Sequence, residues 1–412
     1  MVSKYDVFYV IATKGEIRSF EIVEALNMLK SEYKAVFNHV LELERDGYIE
    51  RNKTIKVLPT EKSKKLFGLI SFCIDHSINY NLMFKKTMLN FIEKIAKKEF
   101  FTIKDTTVHP QTFKYYIDIL EKYGLLFVLS KKPLKCKLLW HHFLIDLMKF
   151  FNKKLIFYTP QNHSFIKEIE KELRKYKRNL KIYYMAIENL EKKEEIGFIY
   201  TSLNLEGNPL TLPETQRLIE KEIVPKEHKL EDIQEVTHYK RAIDLMITNA
   251  KKGIKLNSQL MLEYHKITMS HMKDAGKIRK QNVTIPLNPD FKTAEWKEIP
   301  NKLGRLIEKY NNFESQKRDL KEIIEFSAFF HNEFQRIHPF IDGNSRMARL
   351  LLLHLLRSHK IPILDLPLGY FDLYLDLTKR SKKRDDVALK YLIEELIFIN
   401  LKKINFTIQQ RT

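Results

Sequence analysis

His338 to Arg349 reads HPFIDGNSRMAR, and these residue types in this order make a site for a phosphorylated ligand with a base beside it. Gly343-Asn344-Ser345 opens a strongly apolar helical pattern carrying Met347, Leu350, Leu351, Leu353 and Leu355. A helix N-terminus presents free N–H donors and the positive end of the peptide dipoles, which suits an anion. Gly343 lets the backbone come close to a phosphate. Arg346 and Arg349 stand three apart, so both guanidinium groups reach a polyphosphate from one side. Asp342 offers a hard oxygen for Mg²⁺, and His338 is a candidate general base near neutral pH.

The elements that must position these groups are helical. Apolar periodicity predicts helices near 236–251, 256–273, 297–311 and 317–335, then the signature helix, a break at Lys360-Ile361-Pro362, and a last helix over 385–402. Leu212-Pro213-Glu214-Thr215 begins a helix, with proline in its first turn. Upstream, Ser202 and Glu206 lie four apart and share one helix face, and Gly207 stops that helix. In Gly276–Ile285 (GKIRKQNVTI), Val283 and Ile285 alternate with polar residues, as in a hairpin edge able to capture an extended peptide.

The front of the chain reads differently. An apolar segment over 4–13 ends at Gly15, Phe20–Leu29 reads as a short helix, and Ser31 looks like the N-cap of a third. Asp46-Gly47 ends the third helix, and Tyr48–Leu58 alternates around a turn at Asn52-Lys53. Helical Met83–Lys97, a short piece at Phe101–Asp105, helical Thr107–Tyr123 and a second alternation at Leu125–Leu139 repeat the order. LEKYGLL at 120–126 echoes LERDGYI at 43–49. Both halves resemble winged helices, which implies a helix in the major groove of double-stranded DNA and a wing on its phosphates. Ser31, Lys34, Asn38, Gln111, Thr112 and Lys114 are the outward polar candidates; protein contact through the wings is the alternative. The lysine-rich stretch 141–190, broken at Tyr158-Thr159-Pro160, reads as a helical connector with a solvated face. The expected layout is a winged helix over 1–66, a second over 67–145, a connector over 146–190 and the site-bearing domain over 191–412.

HPFIDGNSRMAR resembles the signature of Fic-domain (Fido) proteins, H-P-F-x-[D/E]-G-N-x-R-x-x-R. Ser345 departs from the glycine that most active members carry after the asparagine. Ser202–Gly207 resembles that family's inhibitory motif, [S/T]-x-x-x-E-[G/N], and Gly276–Ile285 is similar to its flap. The resemblance implies a mainly α fold, a Fic-type helical bundle with a short β-hairpin flap of Gln281, Asn282, Val283, Thr284 and Ile285. It implies transfer of AMP from ATP, with Mg²⁺ on Asp342, to a serine, threonine or tyrosine hydroxyl of a protein target or of the chain itself. In that reading His338 takes the hydroxyl proton, Gly343, Asn344 and Ser345 hold the α-phosphate, and Arg346 and Arg349 grip the β- and γ-phosphates. Glu206, sharing its helix with Ser202, denies Arg349 to ATP, and reversal of the modification is a further activity of such relatives. Two other readings stay open: a DNA-binding regulator whose Fic module senses nucleotide without catalysis, and an enzyme that transfers another phosphate-containing group because of Ser345. A homodimer is one assembly the family allows.

Composition sets the limits. The 412 residues are 44% apolar and carry a net charge of +20, enough for two or three domains with real cores. The charge leans forward: residues 1–190 hold 34 Lys and Arg against 21 Asp and Glu, and residues 191–412 hold 38 against 31. A basic front half fits a polyanion partner, though a lysine-rich background would produce it too. Cys73 and Cys136 have no CxxC spacing, which argues against zinc and disulfide frameworks. MVSKYDVFYV is too short and charged for a signal peptide, and no run of about 18 apolar residues predicts a membrane span. A reducing cytoplasm is the simplest setting. His331, His354 and His359 read as packed or surface residues, and His141-His142 as a surface pair without metal-ligand spacing.

Overall fold

The computed structural model describes residues 2–139, 141–154, 163–226, 228–285, 288–362 and 364–410. The chain divides into two units: 1–123, 133–138 and 142–158 in the first, and 124–132, 139–141 and 159–412 in the second.

The first unit begins with α1 (Lys4–Lys14), α2 (Ser19–Ala25) and α3 (Tyr33–Arg45). Ser3 and Asp6 cap α1 reciprocally, which satisfies N–H groups the first turn leaves orphaned. Val7, Phe8 and Ile11 of α1 meet Val36, Val40 and Leu43 of α3 in the core. Lys4 ties α1 to α3 through Glu42 at 2.7 Å and Asp46 at 2.9 Å. Ser31 is not the N-cap expected from sequence. It lies in a 3-10 turn over Lys30–Glu32, and Glu32 precedes the helix instead. The strands β1 (Ile49–Arg51) and β2 (Ile55–Val57) pair antiparallel, Ile49 opposite Val57, and Ile17 adds a bridge to Ile55.

Next come α4 (Glu61–Asp75), α5 (Tyr80–Met83), α6 (Lys86–Ile95) and α7 (Pro110–Lys122). The expected boundary at 66/67 falls inside α4, whose Leu66, Leu69, Ile70 and Cys73 are all buried. Phe101 bridges to Cys136 as Ile17 does to Ile55. The chain continues through β3 (Leu126–Lys131), which belongs to the second unit, and β4 (Leu134–Leu138) and α8 (His142–Phe150), which belong to the first.

The second unit is almost wholly helical: α9 (Ile166–Ile182), α10 (Tyr184–Asn204), α11 (Leu212–Lys221), α12 (Leu230–Lys251), α13 (Ser258–Thr268), α14 (Ile299–Glu314), α15 (Leu320–Ile337), α16 (Asn344–Ser358), α17 (Phe371–Leu377) and α18 (Asp386–Gln409). At its centre, α16 buries residues on every side, from Asn344 to Leu356, as an all-round apolar helix must. α15 and α12 flank it with apolar faces, and α18 packs on α15 and α9. The stretch expected to be a helical connector with a solvated face is helical, exposes Lys171, Arg174, Lys177 and Arg178, and also packs along its other face. α9 buries Ile169, Tyr176 and Asn179, and Asn405 of α18 donates to the carbonyl of Glu172 at 2.9 Å. The break expected at Tyr158-Thr159-Pro160 lies outside the described residues. The boundary expected at 190/191 falls within α10. His141 is buried, and a surface pair with His142 is not what forms. No helix is long and apolar enough to cross a membrane among the described residues.

Candidate active site

α15 ends abruptly at His338, whose backbone is left-handed at φ 49°. That conformation costs a non-glycine residue about 1–2 kcal/mol and needs external support. Arg279 supplies it: its Nε donates to the His338 carbonyl at 2.7 Å, and its backbone N–H donates to the Pro339 carbonyl at 2.9 Å. The bend turns the imidazole toward the loop ahead of α16. Its Nδ1 lies 3.2 Å from the Gln335 carbonyl and must be the donor there, leaving Nε2 free to accept a proton. Burial is the main cause that pulls the ring down to about 4, so it is neutral at pH 7.

The loop from Phe340 to Gly343 is shaped from within. Asn344 accepts from the Phe340 N–H at 3.0 Å and donates to the Phe340 carbonyl at 2.9 Å. The asparagine side chain is thereby committed to loop shape, and its expected role of holding phosphate falls to the backbone around it. Gly343 sits at φ 76°, and a Cβ there would lie 2.7 Å from Met269 Sδ, so nothing but glycine fits. His265 was not singled out from sequence. Its ring stacks on Phe340 at 3.6 Å between centroids, takes the Gly276 N–H on Nδ1 at 2.8 Å, and donates from Nε2 to the Asp342 carbonyl at 3.0 Å. One neutral imidazole thus joins the start of the flap to the loop; burial holds it down to about 4.

Both arginines are buried, each side chain about 4% exposed, and both are engaged. Arg349 donates from Nε to Ser202 Oγ at 2.7 Å, and from Nη2 to the Ser202 carbonyl at 2.8 Å and to Glu206 Oε1 at 3.0 Å. Ser202 passes its own proton to Tyr239, whose hydroxyl donates to the Arg346 carbonyl. Glu206 lies just past α10, where Gly207 at φ 97° turns the chain. Its other oxygen meets Lys379 Nζ at 3.2 Å. Burial alone would raise this carboxyl; Arg349, then Lys379, outweigh it and hold the group below the usual carboxylate range. Arg346 donates to Glu235 Oε1 at 2.8 Å and reaches Asp342 at 3.4 Å. Asn208 in turn donates to Glu235 Oε2 at 2.9 Å. Glu235, Asn208 and Lys379 carry no motif, which is why sequence reading missed them.

The flap is a correction. Residues 281–284 form no strand, and among the described residues a single bridge, Ile285 to Asn288, stands where a hairpin was expected. Pro289 lacks an N–H group, so no ladder can run on through it. Side chains hold the segment instead. Arg279 donates to the Gln281 carbonyl at 2.6 Å, Thr293 to the Val283 carbonyl at 3.0 Å, and the Trp296 N–H to Asn282 at 2.9 Å. Thr284 is exposed.

Asp342 suits Mg²⁺ bound with a nucleotide. Its side chain is 56% exposed, and among the described residues its carboxylate oxygens meet the Gly343 N–H and, distantly, Arg346. A single carboxylate completed by phosphates and water is how Mg²⁺ usually sits. Among the described residues no cluster of three His, Cys, Asp or Glu could form an all-protein cage.

The segment that carries this arrangement has relatives among known proteins. Residues 255–356 match the Fic/DOC family. Over 203 residues the chain is 24% identical to a protein adenylyltransferase Fic of Drosophila erecta and 23% identical to that of Drosophila melanogaster, covering 48% of this chain. It spans about 40% of the length of those relatives. A Fic domain containing signaling protein from Bacteroides thetaiotaomicron superposes with a TM-score of 0.54 at 20% identity, over 59% of this chain and 97% of the other. Fic-1 from C. elegans superposes at 0.50 and 18%, over 66% and 78%. At such identities the likeness is one of fold. The Fic match covers α13 to α16 and leaves out Ser202 and Glu206, which reach it through Arg349. The DNA-contact candidates belong to the first unit; there Ser31, Lys34, Asn38, Gln111 and Lys114 are exposed and Thr112 is half-buried.

Proposed function

We propose that the chain is a protein adenylyltransferase, held in check by Glu206, that moves AMP from ATP to a hydroxyl of a protein target or of itself. The observation that carries this reading is the Arg349 fork, shared by Ser202 and Glu206 beneath a helix N-terminus with a neutral imidazole beside it. The hydroxyl oxygen attacks the α-phosphorus, its proton passes to His338 Nε2, and the bond to the bridging oxygen breaks to release pyrophosphate. The backbone N–H groups of Asn344 and Ser345 would face the charge that builds on the α-phosphate, with the Gly343 N–H joining them once Asp342 turns to the metal. Arg346 and Arg349 take the outer phosphates, and Mg²⁺ held through Asp342 would offset their charge. With Glu206 seated, its carboxylate occupies donors the γ-phosphate needs, which keeps basal turnover low. Gln281, Asn282 and Thr284 are exposed, and this segment would accept an extended target strand on its free edge.

The test is the Glu206→Gly chain incubated with ATP and Mg²⁺ and weighed intact. An added AMP supports the reading, His338→Ala should abolish it, and a different added mass would name another transferred group. No added mass from Glu206→Gly would defeat the transferase reading. A coupled function in duplex DNA binding is supported by the helices and the bridges, Ile17 to Ile55 and Phe101 to Cys136, that recur in the first unit, and by the outward polar residues on α3 and α7. Retention of a labelled duplex that falls steeply with salt, and weakens in a Lys34→Glu/Lys114→Glu chain, checks it.

A further inference from the structure

We propose that a cationic concavity beside the flap docks an acidic segment of the protein whose hydroxyl is modified, which rests on the transferase reading above and adds a substrate class to it. The concavity, of about 400 Å³, is lined by Lys292, Lys302, Arg305, Lys309, Glu333 and Arg336, with Thr293 and Ala294 at its edge. Lys302, Arg305 and Lys309 follow a 3-4 spacing and share one face of α14. Among the described residues, no carboxylate forms an ion pair with Lys292, Arg305, Lys309 or Arg336, whereas Lys302 meets Glu298. The acid in the wall, Glu333, is already neutralised by Arg384. Four cations without an ion pair among the described residues, with the paired Lys302 beside them, therefore face one concavity.

Two of these cations are fixed in place by rings. The Arg336 guanidinium lies 4.2 Å from the centroid of Phe291, and Lys309 lies 4.9 Å from that of Phe329. Fixed cations bind carboxylates with less ordering cost than free ones. The concavity is also joined to the flap. Thr293 holds the Val283 carbonyl, Arg279 of the flap holds the Ala294 carbonyl, and the Ala294 N–H donates to the Arg336 carbonyl. A peptide laid along Gln281–Ile285 would have residues flanking its hydroxyl within reach of these cations. A concave wall favours a side chain or short acidic run over the convex surface of a duplex.

The experiment uses the full chain and fluorescein-labelled peptides with one Thr beside a run of Glu, and the same peptides with Gln or Lys in place of Glu. Anisotropy should show the Glu peptide bound about ten-fold or more tighter than the Gln peptide. Arg305→Glu/Lys309→Glu should erase that preference, and the milder Lys292→Ala/Arg305→Ala should reduce it. The same charge change at Lys167 and Lys171 on α9 should leave it intact. Equal losses from both reversals would mean that only net charge matters and would overturn the proposal, as would Glu and Gln peptides binding alike. In the Glu206→Gly background with ATP and Mg²⁺, the Glu peptide should gain AMP fastest. Charge-selective binding without transfer to any peptide would count against the transferase reading while leaving the acidic docking site in place. Transfer indifferent to charge would do the opposite.

Discussion

Replacing Lys379 by Met should loosen the hold on Arg349 without altering the arginine or the glutamate. Lys379 Nζ is 3.2 Å from Glu206 Oε2 and 3.2 Å from the Leu205 carbonyl, so it anchors both the carboxylate and the end of its helix. The lysine side chain is 28% exposed, which places the pair in the range of about 1 kcal/mol or less after solvent screening. Losing it shifts the balance between seated and displaced Glu206 by about five-fold. Glu206→Gly also removes the 3.0 Å charged hydrogen bond to Arg349, worth roughly 1.5–3 kcal/mol, so its gain should be about ten-fold or more. Initial rates of AMP addition by intact mass should therefore rank wild type, then Lys379→Met, then Glu206→Gly. High salt should raise the wild-type rate toward that of Lys379→Met. A Lys379→Met rate equal to wild type would refute the reasoning. So would the same increase appearing on top of Glu206→Gly, where no carboxylate remains for the lysine to hold.

Three further outcomes follow from the same contacts. Burial keeps His265, His338 and His354 near 4 and His331 near 3, against an ordinary 6.5. Between pH 6.5 and about 4 the unfolded chain binds protons that the folded chain refuses, so stability is full above 6.5 and falls as pH drops. The loss should approach roughly 2 kcal/mol per ring at pH 5, and urea midpoints unchanged from pH 7 to pH 5 would contradict it. Gly343→Ala forces a Cβ to 2.7 Å from Met269 Sδ at a positive φ, so nucleotide binding by calorimetry should fall more than ten-fold, with the unfolding free energy lowered by about 1–3 kcal/mol. Glu235→Gln in the Glu206→Gly background should weaken ATP and ADP about ten-fold while sparing AMP, because Arg346 loses a charged partner; equal weakening of AMP would show general damage to the site instead.

Much of the site could be read before any fold was known, because its parts are local. From His338 to Arg349 the chemistry, the glycine turn and the helix start lie within twelve consecutive residues. Glu206 was reachable for the same reason: a serine, a carboxylate and a stop glycine at helical spacing. What escaped came from elsewhere in the chain. Arg279 looked like one more cation in a flap yet is the bracket that holds His338 in its strained turn. His265 is an ordinary histidine on an amphipathic helix until Gly276 and Asp342 close around it. The hairpin expectation failed because alternation was weighed and Pro289 was not. The connector expectation missed the packed face because α9 looks overwhelmingly charged, although its sparse Ile169, Tyr176 and Asn179 suffice to pack it.

The segment Ser202–Asn208 governs more than the one arginine its motif points to. Ser202 and Glu206 hold Arg349 directly. Two residues on, Asn208 fixes Glu235, and Glu235 orients Arg346. Ser202 also reaches the Arg346 carbonyl through Tyr239. These buried groups are bonded to one another in series, so displacing one member leaves its neighbours with further unpaired polar groups, each costing about 1–3 kcal/mol, beside Arg346 Nε and Arg349 Nη1, which already lack a partner among the described residues. Glu206 at the exposed end of the chain of contacts can leave at least cost, since water and the γ-phosphate can replace it. Ser202 and Asn208, both buried, cannot. On the proposed function, the physical consequence would be a division of labour within seven residues: the glutamate would be the part that moves, and the serine and asparagine the fixed points that keep both arginines aligned while it does.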